Sequence, residues 1–509
     1  MELWYWHHSY LATPQAVESS KVLIDRAARA GYTGVALWDS SWTFMSEPGW
    51  PLENVSKLKE VVDYAASRGL RVMPTVATYG HSNDVLKQNP NWAEGQRVIG
   101  TRFQVDGAGR LLRQVKSLHE GANAAVGPLL NAKLKLTPWR QYHIQLAVRT
   151  RGFGGLAQLE VSDGAASRLD VNLQPRADQE WTAIDYAFNS AESSAVRIQA
   201  GIFGPHSGEL EVGQFLIEET ALVYVLRRAG TPLRVYDPEH PDRQFAEGRD
   251  FLHVDDRKLL RTPEFAGDNF HDPGPVTVPP GSTLRPGQTV AMDYYAVTPV
   301  YGEAVSVCLT DPAVERWMVR NAQAAAALLP QKSGLFLSHD EIRQMNSCAL
   351  CRARNLSAGG LLAQHISGLT AQLILLGPLY IWSDMFDPGH NGHDHFYQVE
   401  GSLAGSWNGL DSQVTVMNWN LDHLHNSLVW FSGDDPRQPV PHRQIIAGFY
   451  DPASHDAAAE VRREWAQARG VPGITGAMYT TWTDDYTQLE AFAQAAREEW
   501  KYYRDSRPW

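Results

Sequence analysis

A strand-then-helix rhythm that fills roughly the first hundred residues, breaks off, and resumes for about the last two hundred constrains this chain more than any other feature. Leu3 to His8 reads as a short aromatic strand, and Pro14 to Ala30 as a helix with Val17, Val22, Leu23, Ala27 and Ala28 on its apolar face. Gly31 stops that helix, Gly34 to Trp38 is a buried strand, Leu52 to Arg68 a second helix, and Leu70 to Val76 a third strand. Strands that alternate with helices call for a parallel sheet with helices outside it.

Between about residues 103 and 287 the pattern changes to period two. Tyr142, Ile144, Leu146 and Val148 alternate with polar residues, as do Val196, Ile198 and Ala200, then Leu210 and Val212, then Phe215 and Ile217. Turn clusters such as Gly152-Phe153-Gly154-Gly155 separate these runs, the pattern of half-buried antiparallel strands in a β-sandwich. The first rhythm then returns. Asp311 to Leu329, Leu361 to Leu376, Ala457 to Ala468 and Leu489 to Tyr502 are expected helices. Strands are expected at Gly334 to Leu337, Leu379 to Trp382, Val414 to Met417, Ile445 to Phe449 and Gly476 to Tyr479. Eight strands result, so the expected fold is an α/β, (β/α)8 TIM barrel with a β-sandwich module inserted between the third and fourth strands. The expected division is 1–102 and 288–509 for the barrel and 103–287 for the insert.

The net charge of −12 argues against nucleic acid and anionic membrane as partners, because both need concentrated Lys and Arg. The start, Met1-Glu2-Leu3-Trp4, lacks the charged-then-apolar build of a secretory leader, which leaves localisation open between the cell interior and export with a leader removed. The three cysteines make no disulfide framework. Cys348-x-x-Cys351 has half the ligands of a zinc site, but no second such pair exists, and two ordinary thiols after a strand is the simpler reading. Seventeen tryptophans and nineteen tyrosines suit stacking on the flat C–H faces of a carbohydrate substrate.

In such barrels chemistry sits just past the C-terminal strand ends. Here those positions hold Tyr79, Gly80 and His81; His339, Asp340 and Glu341; Trp382, Asp384 and Asp387; Asn418 and Trp419; Tyr450 and Asp451; and Trp482, Asp484 and Asp485. One polar residue after a strand is ordinarily a turn or cap, but recurrence on six strands points to a site. The histidines of Asp387 to His395 are read as bonding hydroxyls, and neither metal nor cofactor is expected.

Arg68-Gly69-Leu70-Arg71-Val72-Met73-Pro74 with Gly80-His81-Ser82, the Asp340-Glu341 pair, Trp382-Ser383-Asp384, Phe449-Tyr450-Asp451 and Trp482-Thr483-Asp484 resemble, in order and spacing, the motifs of family 20 glycoside hydrolases, the β-N-acetylhexosaminidases. Where that family carries an arginine at the end of its first strand, this chain has Trp6-His7-His8. The resemblance implies an exo-acting retaining hydrolase with Glu341 as proton donor, Asp340 accepting the acetamido N–H, and Tyr450 holding the acetamido oxygen. It also implies substrate contacts from His81, His339, Trp382, Asp384, Trp419, Asp451, Trp482 and Asp484. Independently, adjacent carboxylates cannot easily straddle a sugar, which suits a nucleophile supplied by the substrate. A related Asp-Glu barrel acting on another sugar and a non-catalytic carbohydrate-binding protein are the alternatives, and a homo-oligomer is possible.

Overall fold

The computed structural model describes residues 1–505 except 48, 115–116, 121–124, 128, 262–269, 303, 331–332 and 452–455. Eight parallel strands pair in one sheet: β1 (Glu2–His8), β2 (Gly34–Trp38), β3 (Arg71–Pro74), β4 (Leu335–Phe336), β5 (Leu379–Trp382), β6 (Thr415–Asn418), β7 (Gln444–Ile446) and β8 (Ile474–Tyr479). β8 pairs with β1, and a parallel bridge from Thr75 to Phe336 joins β3 to β4, so the sheet closes on itself. Each strand is short, three to seven residues in most cases, as strands buried on both faces by helices and barrel interior tend to be.

Helices Pro14–Ala30, Leu52–Ser67, Pro312–Leu328, Ala358–Leu373, Leu424–Ser432, Ala457–Ala468 and Leu489–Asp505 accompany the strands. The first shows why the boundaries were legible. Pro14 occupies the first turn, the Thr13 side chain accepts a bond from the Ala16 N–H, and Gly31 leaves the helix at φ 85°, a conformation costly for any residue with a Cβ. Leu424–Ser432 is a helix that no periodic run announced. Between β5 and β6 the described residues form no α-helix, only short 3-10 turns, the two-residue strand Gln398–Val399 and loops. The run 358–376 is apolar and long enough to cross a membrane by composition, but its Leu361, Leu362, Ile366, Leu369 and Leu373 are buried.

Side-chain parity divides the barrel into two cores. Trp4, Trp6, Ala36, Met73, Phe336, Tyr380, Trp382, Met417, Ile445, Ala447 and Met478 fill the interior. Their immediate neighbours, Leu3, Tyr5, Val35, Val72, Leu335, Ile381, Val416, Ile446 and Ala477, face the helices. Successive residues on a strand point to opposite faces, so this parity dictates which rim residues enter the barrel mouth.

Between β3 and β4 lie two antiparallel sheets. A seven-stranded sheet centres on the long strands Gln141–Ser162 and Ala195–Thr220, and a six-stranded sheet pairs Gln96–Val105 with Thr289–Ala296. Each has its own apolar cluster. The crossings into and out of this region are thus strands of the six-stranded sheet, paired to each other.

Candidate functional site

The chain leaves β4 under strain. Ser338, His339 and Glu341 all have positive φ, at 58°, 66° and 47°, and such left-handed residues collect where surrounding structure holds a functional geometry. The loop after β3 packs against this turn so closely that a Cβ on Gly80 would lie 1.8 Å from the Asp340 carbonyl oxygen. Only glycine admits that approach. It brings His81 to the carboxylates: its Nε2 is 3.1 Å from Glu341 Oε2 and 3.7 Å from Asp340 Oδ2. All three side chains offer atoms within 4.8 Å of one another.

Two more groups orient the pair. Ser338 Oγ donates to Asp340 Oδ1 at 2.6 Å, and the buried Arg343 reaches Glu341 Oε1 at 2.7 Å. Burial alone would raise the Glu341 carboxyl, but the His81 hydrogen bond and the Arg343 charge outweigh it and hold it at about 2. Desolvation works against a charge on His81, yet the bond to Glu341 and the nearby Asp340 keep its pKa above the ordinary 6.5. The contact thus favours an ionised Glu341 and a charged His81 facing each other.

Behind them Asp384 is fully buried and accepts from the Glu341 N–H (2.8 Å), Asn391 Nδ2 (2.9 Å) and Trp419 Nε1 (3.2 Å). Burial first, and the Asp340 charge second, push its carboxyl up to about 7. It fixes the strained turn and a tryptophan at once.

His81, Ser338, Asp340 and Glu341 line a cavity of about 450 Å³. Tryptophans supply much of the rest: Trp6 and Trp382 have centroids 5.8 Å apart, Trp6 and Trp482 5.6 Å, and Trp382 and Trp419 6.4 Å. Trp6 Nε1 donates to His8 Nε2 at 3.0 Å, which leaves His8 Nδ1 to donate to Asp484 Oδ1 at 3.0 Å. That is the neutral tautomer, and burial lowers the His8 pKa accordingly. Asp451 stands at the rim and accepts from the side chains of Thr481 and Thr483 and from the Trp482 N–H, so it shapes the Trp482 loop.

Of the residues the sequence singled out, Asp340, Glu341, His81, Trp382, Trp419 and Trp482 line this cavity, while Asp384, Asp451 and Asp484 hold its walls. Tyr450 and His339 do not reach it. Tyr450 shares the parity of Ile446 and lies wholly buried between barrel and helices, its hydroxyl donating to Glu464 at 2.6 Å and its ring packed on Tyr479 and Phe492. His339 shares the parity of Leu335 and Leu337 and is buried against Tyr79 and His365, with burial lowering its pKa to about 4. Trp6, His8, Trp38, Thr75, Thr78, Tyr301 and Ser338 were missed as lining. Inward parity along β1 to β4 was the signal for Trp6, His8, Trp38, Thr75 and Ser338. None existed for Tyr301, which lies beyond the inserted sheets.

The inserted region reaches the site through Tyr301. The Arg343 guanidinium sits 4.0 Å from the centre of that ring and 5.3 Å from Tyr397, whose hydroxyl donates to Asp170 at 3.4 Å. A second groove of about 650 Å³ continues from Trp38, His81 and Tyr301 along Val171 to Gln174 and Tyr186 of the seven-stranded sheet. Two groups of described residues converge as metal-binding sets could: His81 with Asp340 and Glu341, and Glu94 with Cys308, Cys348 and Cys351. The loop histidines spread apart, His390 against Trp419 and His393 near Phe396.

No protein-family model matches the sequence, nor does any curated protein. Solved structures similar to this chain include the family 20 β-N-acetylhexosaminidase from Streptomyces coelicolor, with 11% identity over 99% of this chain and 66% of that one and a TM-score of 0.38. The N-acetyl-β-hexosaminidase from Streptomyces plicatus has 12% identity over 97% of this chain and 62% of that one, with a TM-score of 0.37. A rhamnosidase from a Novosphingobium species has 12% identity over 98% of this chain and 59% of that one, with a TM-score of 0.34. The chain thus spans under two thirds of each of these proteins, and residue roles have to come from its own geometry.

Proposed function

We propose that this protein is a glycoside hydrolase that removes a terminal sugar, with Glu341 and His81 as the proton-donating pair and Asp340 beside the anomeric centre. The observation that carries the reading is Asp340, Glu341 and His81, with atoms within 4.8 Å of one another, in a tryptophan-lined pocket of about 450 Å³. A pocket of this size has room for one terminal sugar, and the groove that continues from it for the group that sugar is attached to.

Both carboxylates stand on the same side of such a sugar, so neither is opposed by the other across the bond, as two-carboxylate mechanisms require. That favours a nucleophile carried by the substrate. The acetamido oxygen attacks C1, the bond from C1 to the leaving oxygen breaks, and that oxygen takes the proton shared by His81 and Glu341. Asp340 accepts the acetamido N–H and stabilises the cationic ring that forms. Water, deprotonated by Glu341, then opens that ring at C1 with net retention. The leaving group extends into the groove of Val171 to Gln174 and Tyr186, and the insert of 103–287, expected to be a β-sandwich, supplies its seven-stranded sheet as the wall.

Tyr450 has no part in this scheme, and Tyr301 is the one tyrosine of the described cavity lining. That favours a second reading, the same proton donor acting on a sugar without an acetamido group. Hydrolysis of 4-nitrophenyl N-acetyl-β-hexosaminides, compared with plain hexosides and with inhibition by a thiazoline mimic of the cyclic intermediate, tests both. Selective cleavage with strong inhibition supports substrate assistance, because a site shaped for the intermediate binds its mimic far better than substrate. Good cleavage of plain hexosides without inhibition establishes the second. No hydrolysis of any glycoside that binds overturns the enzyme.

A further inference from the structure

We propose that Glu94, Cys308, Cys348 and Cys351 form a structural zinc site that ties both ends of the inserted region to the loop carrying Asp340 and Glu341. The three sulfurs and the carboxylate are buried and come from three distant stretches of chain. Cys308 Sγ lies 3.5 Å from Cys348 Sγ and 3.7 Å from Cys351 Sγ, and Cys351 Sγ lies 3.5 Å from Glu94 Oε2.

These three spacings match edges of a tetrahedron around a small thiophilic ion, and the remaining ones lie within 4.8 Å. With Zn–S near 2.3 Å and Zn–O near 2.0 Å, tetrahedral angles place sulfurs about 3.8 Å from each other and about 3.5 Å from the oxygen. A disulfide would need sulfurs about 2.05 Å apart. An iron–sulfur cluster would need them spread around its own volume. Four protein ligands with no open position describe a structural rather than a catalytic ion.

The surroundings are built for that set. The Ser347 and Cys348 N–H groups donate to Glu94 Oε1 at 2.8 and 2.7 Å, which fixes the carboxylate and leaves Oε2 toward the sulfurs. Thr310 Oγ1 is 3.2 Å from Cys351 Sγ. The Arg228 guanidinium, anchored on the Asn91 and Ala93 carbonyls, places its charge beside Cys308, Cys348 and Glu94. Three thiolates and a carboxylate beside one guanidinium would leave a formal charge of −3 underground. A divalent ion reduces it to −1, and such outer bonds orient ligands in the usual way. Glu94 precedes the first inserted strand, Cys308 follows the last, and Cys348 and Cys351 follow the strained loop, so one ion staples all three.

The test uses the full chain purified under reducing conditions without chelator. Elemental analysis is expected to find one zinc per chain, released in step with mercurial titration of three thiols. Cys308→Ser is expected to lose the zinc, and Glu94→Gln to keep it with at least tenfold weaker affinity. Should Cys308→Ser fail to fold, cobalt loaded into the wild type is expected to show thiolate charge transfer and the intense visible bands of a tetrahedral site. A folded protein that carries no metal, is unmoved in melting temperature by added zinc, and reacts freely at its thiols overturns the proposal. An affinity unchanged in Glu94→Gln overturns the four-ligand set.

Discussion

In the barrel, a strand such as β5 is buried along its whole length, with Tyr380 and Trp382 turned inward and Leu379 and Ile381 outward. In the inserted seven-stranded sheet, Gln179–Asn189 is exposed over most of its first half and buried only toward Ala187 and Phe188. The difference decides where chemistry can concentrate. Eight inward faces end on one rim, so their last residues converge on a single point. An open antiparallel sheet spreads its residues over a surface, and it can offer a wall but not a convergence. The insert accordingly supplies Tyr186 and the 171–174 edge to a groove, and acts on the carboxylates indirectly, with Asp170 holding Tyr301 and Tyr397 against Arg343.

The largest expected effect separates the two regions outright. Glu341→Gln should lower kcat on substrates with poor leaving groups by roughly 10³–10⁴-fold, the upper range for loss of a positioned proton donor, with sugar binding retained. Steady-state kinetics with good and poor leaving groups checks this, and an equal loss on both would sink the proton-donor role.

Gly80→Ala should come next, because its Cβ would meet the Asp340 carbonyl and must push the strained turn away. We expect roughly 1–3 kcal/mol of destabilisation, typical of overpacking, together with a kcat loss of at least tenfold. Thermal melting read alongside kinetics distinguishes displacement of the carboxylates from simple loss of folded protein.

The pH profile should show a smaller, signed effect. His81 has a raised pKa, so the proton it shares with Glu341 is present below 6.5 and is lost as pH rises through the raised value. The alkaline limb of kcat/KM should therefore fall above 6.5, as a property of the pair. In His81→Gln the proton must rest on Glu341 alone, and the limb should move toward the carboxylate range. An unmoved limb assigns it to another group.

Tyr186→Ala should leave cleavage of a small chromogenic glycoside unchanged and raise KM severalfold only for substrates with a sugar as leaving group, roughly the 1 kcal/mol of one aromatic contact. Equal effects on both substrates would remove the groove from the leaving-group role. Smallest of all on activity is Tyr450→Phe, which should keep kcat while costing about 1–3 kcal/mol of stability through the unpaired, buried Glu464. A loss of activity without a loss of stability would return Tyr450 to the site.

The last case shows how much was legible and how it was misread. Ile445 and Ala447 must face inward for β7 to fill the barrel, and period two then carries Tyr450 to the helix side whatever a motif suggests. The same count removes His339 and admits Trp6 and Trp38. These facts were present in the sequence, in the alternation of residues along each strand. The spacing of strands and helices, the order of the rim carboxylates and the tryptophan load likewise follow from local pattern, because helix and strand periods are properties of the chain alone.

Tertiary structure alone decided the rest. Nothing local links Glu94 to Cys308 and Cys348, or Asp170 to Tyr397, because those contacts depend on how the insert's sheets dock on the loops around the barrel mouth. Nor does any pattern announce that His81 and Arg343 meet on Glu341 and hold it ionised. The charge state of a carboxylate is set by what stands within a few ångströms of it in space, and spatial neighbours hundreds of residues apart are made only by the fold.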